Sequence, residues 1–271
     1  MRTFSHPGYK RFLLSVGCLL SIHFTALFFL TLFRLVFFFS ANYDFPDQEH
    51  VGFMSIWPAF IRGVWFDNVI ACYILLIPLV AVSISALFNY YGKILWNVTC
   101  IFFSLFYGIV LLVTAANIPY FQYFFKIINS SVFNWFGYMN TTAGMVFGET
   151  SYYPPLIGFL LTLVLFIWLM RRLIRHFQRL LNTKNPSVFW LDRIYIFLTA
   201  GICIGLCLFG IRGRTGYNPI KVSAAYYCTD PFLNQLGISP VFNLLSSTLD
   251  DSRKENRYLH LMPENEALEN T

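Results

Sequence analysis

Five long runs of apolar residues, none of them carrying a charge, limit what this chain can fold into. As helices rising about 1.5 Å per residue, such runs reach across the roughly 30 Å hydrocarbon core of a bilayer. Charged residues make up only 12% of the chain, against about 25% in soluble globular proteins. The sequence therefore predicts an all-α membrane protein with five transmembrane helices. We place these helices at Phe12–Phe33, Asn68–Gly92, Ile94 to a break at Asn117–Pro119, Pro154–Met170 and Ile194–Ile211.

The basic residues between these runs predict the orientation of the chain. Lys and Arg in short loops remain on the cytoplasmic side of a membrane. The segment 171–193 holds most of these basic residues, and the N-terminal tail and the turn after the second run hold the others. The ten basic residues are Arg2, Lys10, Arg11, Lys93, Arg171, Arg172, Arg175, Arg179, Lys184 and Arg193. With an internal N-terminus and five spans, the C-terminus is expected outside.

Neither the net charge nor the cysteines indicate a soluble function. The charge of +6 comes from basic residues clustered between apolar runs, so the membrane orientation explains it and no nucleic-acid partner is expected. All cysteines except Cys228 fall inside apolar runs, where cysteine behaves as a small hydrophobic residue. They predict neither a disulfide framework nor a metal site.

Three ionisable residues lie within or next to the first two runs. For His23 we expect a neutral imidazole bonded to a neighbouring helix, since ionisable groups in a span usually face the bundle interior. Arg34 and Asp67 are expected at similar depths on consecutive helices, where they can form an ion pair. The alternative for Arg34 is a contact with a phosphate headgroup near the outer surface.

Two further patterns leave alternatives open. The aromatic residues beyond Pro119, from Tyr120 to Tyr138, suit a segment in the headgroup layer or a groove that admits lipid. Gly201 and Gly205 have the small-xxx-small spacing of packed helices, and we expect them to pack within the bundle.

After the fifth run, Arg212, Arg214 and Lys221 lie close together in the sequence. They suit phosphate or phospholipid headgroups, or anchoring to anionic lipid. Asp230-Pro231 and Ser239-Pro240 then have the form of helix starts, and Gly237 of a stop between them. The two short amphipathic helices predicted in this way are expected to lie along the membrane surface.

The five spans, the Arg-rich exit from the fifth span and two segments together resemble the membrane part of lipoteichoic acid synthase-type proteins. These segments are Trp65-Phe66-Asp67 at the start of the second span and YYCTDPFLNQLGISPVFN, which begins at Tyr226. That family belongs to the sulfatase and alkaline phosphatase superfamily and is related to lipid phosphoethanolamine transferases. The resemblance implies a bacterial cytoplasmic membrane and an external catalytic domain that binds a divalent metal, Mn, Mg or Zn, through Asp, Glu and His. A Thr or Ser nucleophile in that domain attacks an anionic or zwitterionic phospholipid.

The resemblance also implies a division of this chain. We expect a five-helix transmembrane domain in residues 1–211, interfacial helices in 212–249 and a linker toward an absent catalytic domain in 250–271. The chain is then a membrane anchor and lipid platform with no catalytic site or cofactor of its own. Headgroup contacts are expected from Arg34, Asp67, Arg212, Arg214 and Lys221. The alternative is a stand-alone transporter-like or scaffold membrane protein.

Overall fold

The computed structural model describes residues 6–41, 53–138, 150–181 and 190–253, with Gly144 and Gly148 as isolated positions. All regular structure in these residues is helical, and five helices are long and apolar enough to cross a membrane. They are α1 (Pro7–Ser40), α2 (Phe53–Leu87), α3 (Lys93–Phe124), α4 (Tyr153–Leu181) and α5 (Trp190–Arg212). Two short helices follow, α6 (Pro231–Leu236) and α7 (Pro240–Ser252). Three 3₁₀ helices lie at Ser130–Tyr138, Thr150–Tyr152 and Val222–Ala225.

The helices extend beyond the uncharged runs, so two expected loop boundaries were wrong. α2 begins at Phe53 rather than Asn68, because a charged residue interrupts an apolar run without interrupting a helix. Arg62 is accommodated there by stacking over the Tyr227 ring, 4.5 Å from its centroid. α4 likewise continues past Met170 to Leu181, so that the basic residues from Arg171 to Arg179 lie on a helix. Residues 182–189 lie outside the described part.

The expected break at Asn117–Pro119 was also wrong, because α3 continues through Pro119 to Phe124. A proline removes one amide donor, and apolar helices tolerate this loss when neighbouring groups satisfy the freed backbone. The helix ends instead at Phe124, where the next residue, Phe125, caps it in a left-handed conformation (φ 52°). The first aromatic residues after Pro119 therefore form the last turn of α3.

Helix α1 lies at the centre and contacts all four other long helices. Around it, α2 pairs with α5 and α3 pairs with α4. Aromatic rings fill the middle of the bundle: Phe166 of α4 meets Phe29 of α1 at 6.1 Å and Tyr107 of α3 at 5.3 Å between centroids. The outer helices α4 and α5 keep most of their apolar surface exposed, as expected of helices whose outer faces contact lipid.

The glycines of α5 do not pack as expected. Gly201 and Gly205 are exposed, and a Cβ atom added at either would meet no described atom within 4 Å. Only Gly210, farther along the helix, lies close to α2, where it faces the side chain of Cys72. The small-xxx-small spacing therefore marks the outer surface of the bundle, because α5 turns its other face toward α2.

One end of the bundle, here called the basic end, holds Lys10, Lys93 and the basic residues of α4. Arg11 is buried there and donates from Nη2 to the backbone oxygen of Leu181, 2.9 Å away. Its guanidinium lies over the ring of Tyr91, and burial raises the pKa of Tyr91 to about 12 against the opposing influence of Arg11. His6 Nδ1 lies 2.7 Å from a carboxylate oxygen of Asp192, which joins α1 to the start of α5.

Candidate functional site

A buried ion pair joins α1 to α2 near the opposite end, here called the α6–α7 end. Arg34 Nη2 lies 2.6 Å from Asp67 Oδ2, and the two residues are 5% and 2% exposed. The structure confirms the expected pair. Both charges lie inside the bundle, where an isolated charge would be strongly unfavourable and each therefore requires the other.

Arg34 also holds the α6–α7 segment in place. Its Nη1 donates to the backbone oxygens of Leu236 and Ile238, which lie at the end of α6 and just beyond it. Its three hydrogen-bond partners among the described residues thus come from α2 and from the turn between α6 and α7. The described contacts of Arg34 are with protein groups, and headgroup binding by Arg34 and Asp67 remains a prediction from the sequence.

Residues 226–243, here called the plug, are bonded to the end of the bundle. Asp230 caps α6 by accepting from the Leu233 amide at 2.8 Å, which confirms the expected helix start. Asn234 accepts from the Tyr227 amide at 2.9 Å and donates to the Cys228 oxygen at 2.7 Å. Asn243 donates to the backbone oxygen of Ile128 at 2.9 Å. The polar side chains of this segment therefore stabilise the fold.

The apolar faces of α6 and α7 pack mainly on the bundle. Phe232 is buried between Phe37 of α1 and Phe121 of α3, with centroids 5.7 and 5.6 Å away. Leu233, Leu236 and Val241 are buried as well. These helices thus close one end of the helix bundle, and α6 and the first turn of α7 bury their apolar side chains, whereas Leu245 and Leu249 farther along α7 are exposed.

A cationic mouth opens beside this plug, between the end of α5 and the Val222–Ala225 turn. Arg214 and Lys221 line this space of about 790 Å³, together with Asn218, Thr215 and Ser223. Arg214 and Lys221 are both exposed. The structure thus brings two of the three predicted cations of this segment to one opening.

The third cation, Arg212, shapes the loop behind the mouth. Its Nη2 donates to the backbone oxygens of Gly216 and Tyr217, at 2.5 and 2.8 Å. Gly213 turns the chain at φ 68°, and a Cβ there would lie 2.7 Å from Ile220 and 3.0 Å from Val69. The Ile220 amide then donates to the Arg212 oxygen at 3.0 Å, which closes the loop.

The opposite rim of the mouth is fixed by Arg62. Its Nε donates to the backbone oxygen of Ala224, 3.2 Å away, while its guanidinium stacks on Tyr227. The Tyr227 hydroxyl donates to the Ser55 oxygen at 2.6 Å. Burial, with a smaller contribution from Cys228, raises the pKa of Tyr227 above its ordinary value.

An apolar crevice of about 400 Å³ adjoins the mouth and lies between α1, α2 and α5. Trp65, Phe209 and Gly213 line both spaces. Farther in, the walls are mostly aliphatic and aromatic, and they include Leu20, Phe24, Leu75 and Leu206. The sequence did not single out Phe209 or Gly213, because neither residue type carries a chemical signal without its neighbours in space.

A small polar group lies in the wall of this crevice. His23 Nε2 lies 3.1 Å from Asn68 Oδ1, and the Cys72 thiol donates to the same oxygen at 3.8 Å. The contact confirms the expected bond between His23 and a neighbouring helix. Asn68 was not expected as its partner, since the sequence gives no sign of which residue of α2 faces α1.

The site can thus receive an anionic group at the mouth and an apolar chain in the crevice. Within the described ranges, no group of three or more His, Cys, Asp and Glu side chains is arranged to hold a metal ion. The divalent metal and the catalytic residues implied by the resemblance are assigned to an external domain, and they remain predictions. Comparison of the chain with protein-family models, with curated proteins and with solved structures finds no match.

Proposed function

We propose that this chain is a multi-pass membrane anchor that binds a phosphate-bearing lipid and presents it at the outer face of the membrane. The observation that carries the proposal is that the cationic mouth and the apolar crevice adjoin each other, with Trp65, Phe209 and Gly213 in both linings. An amphiphilic lipid has a matching arrangement, because its charged headgroup is joined to an apolar chain. Its phosphate would meet Arg214 and Lys221, and one of its chains would lie between α1, α2 and α5.

The charge of the mouth supports an anionic headgroup there. A charge-assisted hydrogen bond to phosphate is roughly twice as strong as a neutral one, and guanidinium binds phosphate oxygens in pairs. No carboxylate is among the described residues that line the mouth. The two cations are therefore not neutralised by an acidic neighbour in the lining.

The catalytic part of the proposal is supported by the sequence resemblance alone. In it, a lipid held at the mouth serves an external metal-dependent phosphoglycerol or phosphoethanolamine transferase, or a sulfatase-like hydrolase. Such a domain would follow the plug, which is bonded to α1 through Arg34 and to the segment after α3 through Asn243. A plug fixed in this way places the start of the linker to an attached domain beside the mouth.

Lipid binding by purified protein tests the proposal. Native mass spectrometry of the full chain, released from detergent with added phosphatidylglycerol, measures the affinity for that lipid. We expect Arg214→Gln combined with Lys221→Gln to lower this affinity about tenfold, since two charge-assisted bonds are lost. The control is Lys126→Gln, which removes an exposed cation outside the mouth lining and is expected to leave binding unchanged. Equal affinities for all three proteins would overturn the proposal.

A further inference from the structure

A second cavity lies on the other side of the bundle, between the end of α3 and the start of α4. This groove has a volume of about 730 Å³ and shares no lining residue with the mouth or the crevice. Leu112 and Tyr123, both on its walls, are 46% and 72% exposed, so the groove is open to the surroundings of the bundle. Any occupant can therefore enter sideways from the bilayer, between two helices of apolar outer surface.

One wall of the groove is held in place by contacts with neighbouring helices. The Trp135 ring lies 5.7 Å from Tyr120 and 5.6 Å from Phe124, which sets the Ser130–Tyr138 helix against α3. This 3₁₀ helix is fixed to α7 by a bond from the Ser130 amide to the Ser247 hydroxyl at 2.9 Å. This wall of the groove is thus held in place by protein contacts.

The lining is polar at one end and apolar at the other. Tyr123 and Tyr152 place phenol groups near the α6–α7 end, because they lie at the last turn of α3 and just before α4. Leu112 and Phe159 lie farther along their helices, toward the middle of the bundle. The direction of this gradient matches that of a lipid in the leaflet at the α6–α7 end, with its polar end outward.

This groove differs from the cationic mouth in charge. Among the described residues that line it there is no Lys, Arg, Asp or Glu, and the polar side-chain groups are phenols and the Trp135 indole. Phenols exchange hydrogen bonds with hydroxyl and ester groups, but they do not neutralise a phosphate. An aromatic lining of this kind favours an uncharged amphiphile over an anionic one.

We propose that this groove binds one neutral lipid with a hydroxyl-bearing polar end, of the diacylglycerol class. Its hydroxyl and ester groups meet the tyrosines, and its chains lie along Leu112, Ala116 and Phe159. The proposal does not depend on the cationic mouth, and the two sites are tested with different lipids.

Photolabelling of the full chain in lipid nanodiscs tests the groove. The probe is a diacylglycerol with a diazirine in one chain, and mass spectrometry maps the labelled peptides. We expect labels within residues 112–124 and 132–138, and competition by unlabelled diacylglycerol but not by phosphatidylglycerol. Labels spread evenly over the exposed faces of all five long helices, or equal competition by both lipids, would overturn the proposal.

Two variants make the test specific. Ala116→Trp fills the groove from an exposed position, and we expect it to lower labelling of these peptides about tenfold. Leu105→Trp is the matched control, since Leu105 is exposed on the same helix outside the groove. Tyr123→Phe keeps the ring and removes one hydroxyl, and it should lower labelling about threefold even if the larger substitution disturbs folding. Unchanged labelling in Tyr123→Phe and Ala116→Trp would contradict the assignment.

Discussion

Gly63 of α2 lies directly against the guanidinium of Arg34, and a Cβ atom at residue 63 would overlap its carbon and nitrogen atoms. The arginine passes between α1 and α2 to reach Asp67, Leu236 and Ile238 only because residue 63 has no side chain. The buried ion pair and the position of the plug therefore depend on this glycine.

We predict that Gly63→Ala destabilises the folded protein by about 3 kcal/mol, because it displaces Arg34 and leaves the Asp67 carboxylate buried without its partner. Thermal unfolding in detergent measures the effect. Gly201→Ala is the control, since a Cβ atom there meets nothing within 4 Å and alanine is the better helix former. A loss of stability no larger for Gly63→Ala than for Gly201→Ala would show that the arginine has room to move.

The ion pair itself is expected to behave as a unit. Arg34→Met or Asp67→Leu alone leaves one buried charge, which costs about 3–5 kcal/mol, whereas the double variant removes both charges. We predict that the double variant recovers at least half of the loss, and a double-mutant cycle of unfolding measurements gives the coupling. Additive losses would mean that the two residues are stabilised separately.

The sequence predicted most of the fold because apolar length and charge-free composition are local properties. All five long helices were expected, as were the start of α4 at its prolines and the caps around α6. Helix ends were less predictable, since a helix continues wherever tertiary contacts accommodate a charge or a proline. Arg62, held by Tyr227 and Ala224, and Pro119, inside α3, are two such cases.

The candidate site was predictable only in part. Charge pointed to Arg214 and Lys221, and matched depth in the membrane pointed to the pairing of Arg34 with Asp67. The crevice walls could not be predicted, because the same apolar residue types, such as Phe209 and Leu206, occur at positions that face lipid and at positions that face a cavity. The prediction that Gly201 and Gly205 pack within the bundle failed for the same reason, since spacing on one helix does not show which face another helix covers.

The plug is expected to depend on Asn234, which bonds three backbone groups of Tyr227 and Cys228. We predict that Asn234→Ala loosens the segment 226–243 and destabilises it by about 2 kcal/mol, because buried amides and a carbonyl lose their partner. Hydrogen exchange measured by mass spectrometry should rise within this segment and remain unchanged at the basic end. Asn218→Ala, at an exposed position outside the plug, serves as the control.

The orientation of the chain decides which compartment the cationic mouth faces. The concentration of Lys and Arg at the basic end predicts that this end is cytoplasmic, and α5 then carries the mouth and the plug to the outer side. In a bacterial host, a phosphatase reporter that is active only outside the cytoplasm should be active when fused after Thr271 and inactive when fused after Gly92, between α2 and α3. A green fluorescent protein reporter should give the opposite pattern at the same two positions. Cytoplasmic fluorescence from the Thr271 fusion would place the mouth on the inner leaflet, where an external catalytic domain has no access to the lipid it holds.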